Sequence, residues 1–445
     1  MEYAMKRHRL LDLMAWKTRT SRKPLLVRGA RQVGKSYLVR EFGQKNFRNV
    51  VELNFEMRPD LAAIFAGSLD PQRLVRDIKI ATQQEIYQGA TLVFFDEIQL
   101  VPQALTALRY FYEKMPDLHI IAAGSLLEFA IEEVGIPVGR VESLYLYPMN
   151  FAEFLAARGH KELHELLAHH LGSDPISDFA HKQLLALLSE YFAVGGMPEA
   201  VRVWSETQDL LSVARIHSTL VENYRQDFPK YARRAQVKYV ETVFQALPRL
   251  LGRKFIYSHI DPSIKARDLK AALQLLSKAG VAHIVHHSNA NGVPLGSETK
   301  SDVFKVIFLD IALAQSLLGL QPGAWVLDPA TQFANRGPIV ESYVGQEILA
   351  ASPPHNRSEL FYWVREKATS LAEVDYLCTK QGQIIPIEVK SGSRRRAKSV
   401  QILLSEKPHI KEYRQISPGN FQTLRNGLNV PLYAVDHVIT GPYPT

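Results

Sequence analysis

Four short, almost wholly apolar runs recur through the first third of the chain: Leu25-Leu26-Val27, Val50-Val51-Glu52-Leu53, Leu92-Val93-Phe94-Phe95 and Ile120-Ile121-Ala122-Ala123. Such near-continuous apolarity is what a parallel strand covered on both faces requires. The stretches between them, such as Ser36 to Phe42 and Gln103 to Lys114, carry apolar residues at helical spacing. Strand and helix in alternation predict an α/β, doubly wound layout over residues 1–150. Residues 151–228 are mostly helical in pattern, with a break at Gly195-Gly196-Met197-Pro198. Residues 229–320 begin with helices, including Lys265 to Leu276, which is apolar on one face and basic on the other. Two β-like runs follow, Ala282 to His286 and Phe304 to Phe308, around the Asn/Gly/Ser-rich stretch Ser288 to Ser301. Helices leading into a hairpin with a long loop are the outline of a winged helix. The Gly- and Pro-bearing residues 321–338 read as a linker. Residues 339–445 offer a helix, three β-like runs, a basic helix and two more strands.

Composition narrows this picture. A chain of 445 residues has room for about three domains. With 46% hydrophobic and 22% charged residues, disordered, collagenous and fibrous classes are excluded. No apolar run approaches the roughly 18 residues of a membrane helix, so no membrane partner is expected. The opening MEYAMKRHRLLDLM has no apolar leader segment, and Cys378 is the sole cysteine. Both features point to a cytoplasmic protein without a disulfide. The formal net charge of +8 is unevenly spread. Residues 1–225 hold 26 basic and 27 acidic side chains, residues 226–320 hold 13 and 7, and residues 321–445 hold 14 and 11. The positive surplus therefore lies in the second half, where a polyanion would be attracted.

Gly29-Ala30-Arg31-Gln32-Val33-Gly34-Lys35-Ser36 fits G-x-x-x-x-G-K-[ST], directly after a strand and before a helix. Glycines let the backbone N–H groups close on phosphate oxygens, and the following helix turns its positive end to the same anion. Lys35 is expected to reach the β- and γ-phosphates of ATP, and the Ser36 hydroxyl to ligate Mg²⁺. Such a loop calls for a second apolar strand ending in an acid, and Phe94-Phe95-Asp96-Glu97 supplies it. Asp96 would hold Mg²⁺ and Glu97 would orient and deprotonate the attacking water. Ser125, at the end of the strand Ile120 to Ala123, reads either as a γ-phosphate sensor or as a helix N-cap. Arg140 reads either as an arginine finger or as a surface residue.

Gly29 to Ser36, Phe94 to Glu97, Gly124-Ser125, Gly139-Arg140 and Tyr147 to Phe154 resemble a large prokaryotic family of AAA-type ATPases with a C-terminal domain of unknown function. Gly195 to Ala200 and Phe304 to Asp310 extend the resemblance nearly end to end. It implies an AAA-type P-loop ATPase core over residues 1–150, a helical lid over 151–228, a winged helix over 229–320 and, beyond the linker, a restriction-endonuclease-like fold over 339–445.

In that last segment Glu373-Val374-Asp375 and Glu388-Val389-Lys390 lie on successive β-like runs, and alternation puts Glu388 and Lys390 on one face. If the runs pair, Asp375 and Glu388 are candidate Mg²⁺ ligands and Lys390 a candidate for positioning hydroxide against a phosphodiester. Glu341 is the expected additional acid, with Glu347 as its rival. Arg394-Arg395-Arg396 and Lys398 follow, where a phosphate backbone would dock. Arg233-Arg234 and the face of Lys265, Arg267 and Lys270 read as phosphate contacts or as a solvated basic surface. Two functions follow from these residues: an ATPase coupled to DNA or RNA, DNA favoured and working as a homo-oligomer or ring, with or without nuclease activity; or a nucleotide-dependent switch acting on a protein, with an inactive nuclease-like domain.

Overall fold

The computed structural model describes residues 5–135, 139–170, 172–367, 370–392 and 398–439. Its first layer is a five-stranded parallel sheet of β1 (Leu25–Arg28), β2 (Asn49–Asn54), β3 (Thr91–Asp96), β4 (His119–Ala123) and β5 (Glu142–Tyr145) in the order β2-β3-β4-β1-β5. The four apolar runs are β1 to β4, and β4 lies between β1 and β3. The fifth strand, Glu-Ser-Leu-Tyr, has a single buried position, Leu144, so it gives no apolar run. Helices Lys35–Asn46 and Pro102–Lys114 return the chain across the sheet.

Five helices lie between Phe151 and Tyr231, the segment expected to be the lid and called so below. The first is fixed by a capping box: Asn150 accepts from the Glu153 N–H at 2.9 Å while Glu153 accepts from the Asn150 N–H at 3.2 Å. Three of the motifs noted above meet at one knot. The Met149 N–H donates to Gly196 O at 2.7 Å, and the Gly196 N–H donates to buried Asp310 at 2.7 Å. Asp310 also caps the helix Ile311–Leu317 through the Ala312 and Leu313 N–H groups. These motifs therefore carry backbone packing that sets the lid against the sheet.

The second sheet has eight strands: β6 (Ala282–Ser288), β7 (Thr299–Phe308), β8 (Leu360–Lys367), β9 (Ser370–Lys380), β10 (Gln383–Val389), β11 (Tyr413–Ser417), β12 (Gln422–Leu424) and β13 (Gly427–Pro431). Their order is β12-β13-β11-β10-β9-β8-β6-β7. The hairpin expected to be the wing of a separate domain is present as β6 and β7, but β6 also pairs in parallel with β8, Val285 opposite Leu360. The hairpin is thus one edge of the C-terminal sheet. Residues 321–338 differ from a linker as well. They form the short helices Gly323–Leu327 and Pro329–Asn335, and Trp325 is fully buried against Phe192 and Phe333. Gly and Pro there mark helix starts, and two large aromatics anchor the segment. One apolar core runs from Leu25 through the lid to Val438.

Candidate nucleotide site and a C-terminal charge cluster

The turn after β1 has to pass under the chain leaving β5. A Cβ at Gly29, whose φ is +140°, would lie 2.1 Å from Leu146 O. Only glycine fits there, so the phosphate loop can wrap tightly. Lys35 is buried, and its ammonium donates to Gly29 O at 3.0 Å and Ala30 O at 2.7 Å. Burial lowers its pKa to about 8, against the pull of Glu97 and Asp96. A ligand offering more negative charge than two carbonyls would draw this ammonium out and hold it protonated.

Ser36 donates to Asp96 Oδ1 at 2.8 Å, so the two expected Mg²⁺ ligands are neighbours. These are hard oxygens at a helix N-terminus, which fits a cation bound mainly by phosphates and water. Among the described residues no group of three or more His, Cys, Asp or Glu side chains is arranged to hold a metal alone. Asp96 has a raised pKa, from burial first and then from Glu97, offset by Ser36 and Arg40. Its second oxygen accepts from Asn54 at 3.0 Å and Arg40 at 3.2 Å. Arg40 in turn grips Glu52 through two bonds of 2.9 and 2.6 Å. Asn54 and Arg40 carry no motif; only their positions at the end of β2 and one helical turn beyond Ser36 signal them.

Glu97 sits in left-handed backbone geometry with φ +53°, and its carboxylate accepts from Gln99 and, at 3.3 Å, from Ser125. Ser125 is not a helix cap, since the helix Leu127–Val134 begins after Leu126. Glu97, Gln99 and Ser125 line a cleft of about 750 Å³ together with Arg31, Glu56 and Lys230. Arg31 and Lys230 both pair with Asp227 of the last lid helix, and Tyr224 donates to Arg31 O at 2.6 Å. The lid thus holds the phosphate loop by one of the loop's own variable positions, which a motif leaves unspecified.

Arg140 lies elsewhere. It donates to Glu113 at 2.9 Å, near the end of Pro102–Lys114, at the end of the sheet where the parallel strands begin. The phosphate loop is at the opposite end, where β1 finishes, so the structure does not bring Arg140 to its own chain's site.

In the second sheet β9 and β10 pair antiparallel, Tyr376 opposite Ile387, and the Val389 N–H donates to Asp375 at 2.7 Å. Glu388 pairs with Lys390. Glu341, Asp375 and Glu388 do gather on one face, whereas Glu347 is turned away to the Phe151 N–H, 3.0 Å distant. Burial first, and then Glu341, pushes Asp375 well above the carboxylate range. The residue missed from the sequence is Lys305 on β7. It is 2% exposed, lies 2.8 Å from Glu341 and 4.0 Å from Asp375, and also pairs with Glu373. Its place in a strand read as a separate wing hid it. This ammonium already supplies a positive charge to Glu341, Glu373 and Asp375, so Mg²⁺ does not fit those carboxylates as built. Arg394, Arg395 and Arg396 lie outside the described residues; Lys398 is exposed at the start of the helix Lys398–Glu406.

Residues 21–155 match the description "AAA domain". The first third of the chain is thus similar to AAA-type P-loop domains. Residues 185–324 match a domain of unknown function (DUF8612), and residues 336–434 match another (DUF4143). The comparison with curated proteins gave no match. Among solved structures, the chain is similar to the Walker-type ATPase PABY2304 of Pyrococcus abyssi, with 15% identity, 71% of this chain and 96% of that one covered, and a TM-score of 0.46. Aeropyrum pernix ORC1, solved in complex with DNA, gives 14% identity, 70% and 92% coverage and a TM-score of 0.31. The Thermotoga maritima RuvB Holliday junction branch migration motor gives 16%, 68% and 92%, and 0.29. Likeness at this level carries no inference about activity. No helix among the described residues is long and apolar enough to cross a membrane.

Proposed function

We propose that the protein is a Mg²⁺-dependent ATPase that couples hydrolysis to nucleic acid, DNA favoured. The observation that supports the chemistry is the convergence of Lys35, Ser36, Asp96, Glu97 and Ser125 at the ends of β1, β3 and β4. Lys35 and the loop N–H groups bind the phosphates. Ser36 and Asp96 would hold Mg²⁺, which supplies charge neutralisation on the phosphates when bound. Glu97 takes a proton from water once Gln99 and Ser125 release it, and Ser125 is placed to sense the γ-phosphate.

Coupling rests on the helix Ala266–Lys278. Its exposed face carries Lys265, Arg267 and Lys270 beside Lys238, and its far end turns at Gly280 onto Ala30 of the phosphate loop. A polyanion gripping one end would load the other. A second reading, a nucleotide-dependent switch acting on a protein partner, draws on the Arg31–Asp227 and Tyr224 clamp, which would let bound nucleotide move the lid. Arg140, at the end of the sheet remote from its own site, suits a finger offered to a neighbouring copy in a homo-oligomer or ring.

The deciding experiment is steady-state ATP hydrolysis with and without single-stranded, double-stranded and branched DNA at two salt concentrations. Glu97→Gln serves as the control. Stimulation that fades with salt supports the nucleic-acid reading. A slow rate indifferent to every DNA refutes it in favour of the switch, and turnover undiminished in Glu97→Gln removes the ATPase assignment.

A further inference from the structure

The carboxylates of the C-terminal sheet surround a lysine that comes from the other matched segment. Lys305 belongs to β7 within residues 185–324, while Glu341, Glu373, Asp375 and Glu388 lie within residues 336–434. Its ammonium is 2.8 Å from Glu341 Oε1, is ion-paired with Glu373, is 4.0 Å from Asp375 Oδ1 and stands over the Tyr362 ring at 5.2 Å. Burial alone would strip its proton. The surrounding carboxylates offset that cost by direct pairing with the ammonium. Glu388 gives one oxygen to Lys390, and its other oxygen is buried with no hydrogen-bond partner among the described residues. A divalent ion at Glu341 would have to displace Lys305, and one at Asp375 or Glu388 would sit beside its positive charge.

We infer that Lys305 is a resident cation in the place of a divalent metal, so that this cluster is a fixed charge network joining the middle and C-terminal segments and does not cut phosphodiesters with Mg²⁺ or Mn²⁺. The inference stands apart from the ATPase reading, and its test contains no nucleotide.

Mn²⁺ binding to the full chain is followed by the electron paramagnetic resonance of the free ion, comparing wild type with Asp375→Asn, Lys305→Met and Lys305→Met/Asp375→Asn. The wild type and Asp375→Asn are expected to give superimposable isotherms. Lys305→Met is expected to gain one ion per chain, at least tenfold tighter than any site in the wild type, and the double variant to lose it. Lys305→Met should also melt higher when Mn²⁺ is added, while the wild type does not. If Lys305→Met does not fold, Lys305→Met/Glu373→Gln keeps the net charge and carries the same comparison. Asp375-dependent Mn²⁺ binding by the wild type overturns the inference. So does a folded lysine variant that takes up no ion.

Discussion

Gly280→Ala tests the contact through which the middle segment reaches the phosphate loop. Gly280 has φ +74°, and a Cβ there would lie 3.2 Å from Ala30 Cβ, 3.3 Å from Ala30 N and 3.4 Å from Ala30 Cα. Two costs follow. An L-residue in the left-handed region loses about 1–2 kcal/mol, partly offset by about 0.4–1 kcal/mol from a stiffer unfolded chain. The crowding adds about 1 kcal/mol, at the low end of overpacking, because the loop must give by a few tenths of an ångström. Gly89→Ala separates them: φ is +77° there, and nothing lies within 4 Å of the added methyl. Both variants should melt a few degrees lower. Only Gly280→Ala should weaken ATP, by about fivefold if the extra 1 kcal/mol falls on the loop in its binding geometry. Fluorescent ATP-analogue titrations beside thermal melts give both quantities. Equal affinities in the two variants would refute a mechanical link between the helix Ala266–Lys278 and the nucleotide site.

Lys35→Ala should abolish nucleotide binding in the same titration, since no other described side chain contacts the Gly29 and Ala30 carbonyls the way its ammonium does. His119 and His283 should make the fold acid-sensitive. Burial depresses their pKa values to about 4 and about 3, with Arg22 and Arg357 adding to the depression. The unfolded chain takes up protons near pH 6.5 while the folded chain does not, so stability is full above that pH and declines as pH falls toward 4. Melting curves from pH 7.5 to 4.5 should show this decline, and His119→Phe should flatten it; an unchanged slope would exonerate His119. For Arg140, turnover per chain should rise with protein concentration in the wild type and stay flat in Arg140→Ala. Concentration-independent rates in both would leave only its exposed pairing with Glu113, which contributes little to stability.

The nucleotide site was legible because each of its parts has a local signature. Buried parallel strands must be apolar along their whole length, and a phosphate loop needs glycine at fixed positions. The strand β5 escaped notice because it turns only Leu144 inward. Arg40 and Asn54 reach Asp96 from separate elements, so no spacing announces them. Asp375 with Glu388 followed from strand alternation. Lys305 did not, because its meaning depends on β6 and β7 joining a sheet whose other strands begin more than fifty residues later. Residues 321–338 misled for a related reason: the prolines and glycines here stand at helix starts, and Trp325 shows its role only once Phe192 is beside it.

The parallel pairing of β6 with β8 has a bearing on how this chain can be divided. The seam between residues 185–324 and 336–434 is a boundary in sequence but falls inside one hydrogen-bonded sheet. Cutting the chain there would leave β6 and β8 each with a bare edge, open to pairing with any strand that meets it. Either piece expressed by itself should therefore be prone to self-association. By the same logic the two segments are inheritable only as a matched pair, since a replacement for one must reproduce the other's register and bring a lysine at position 305.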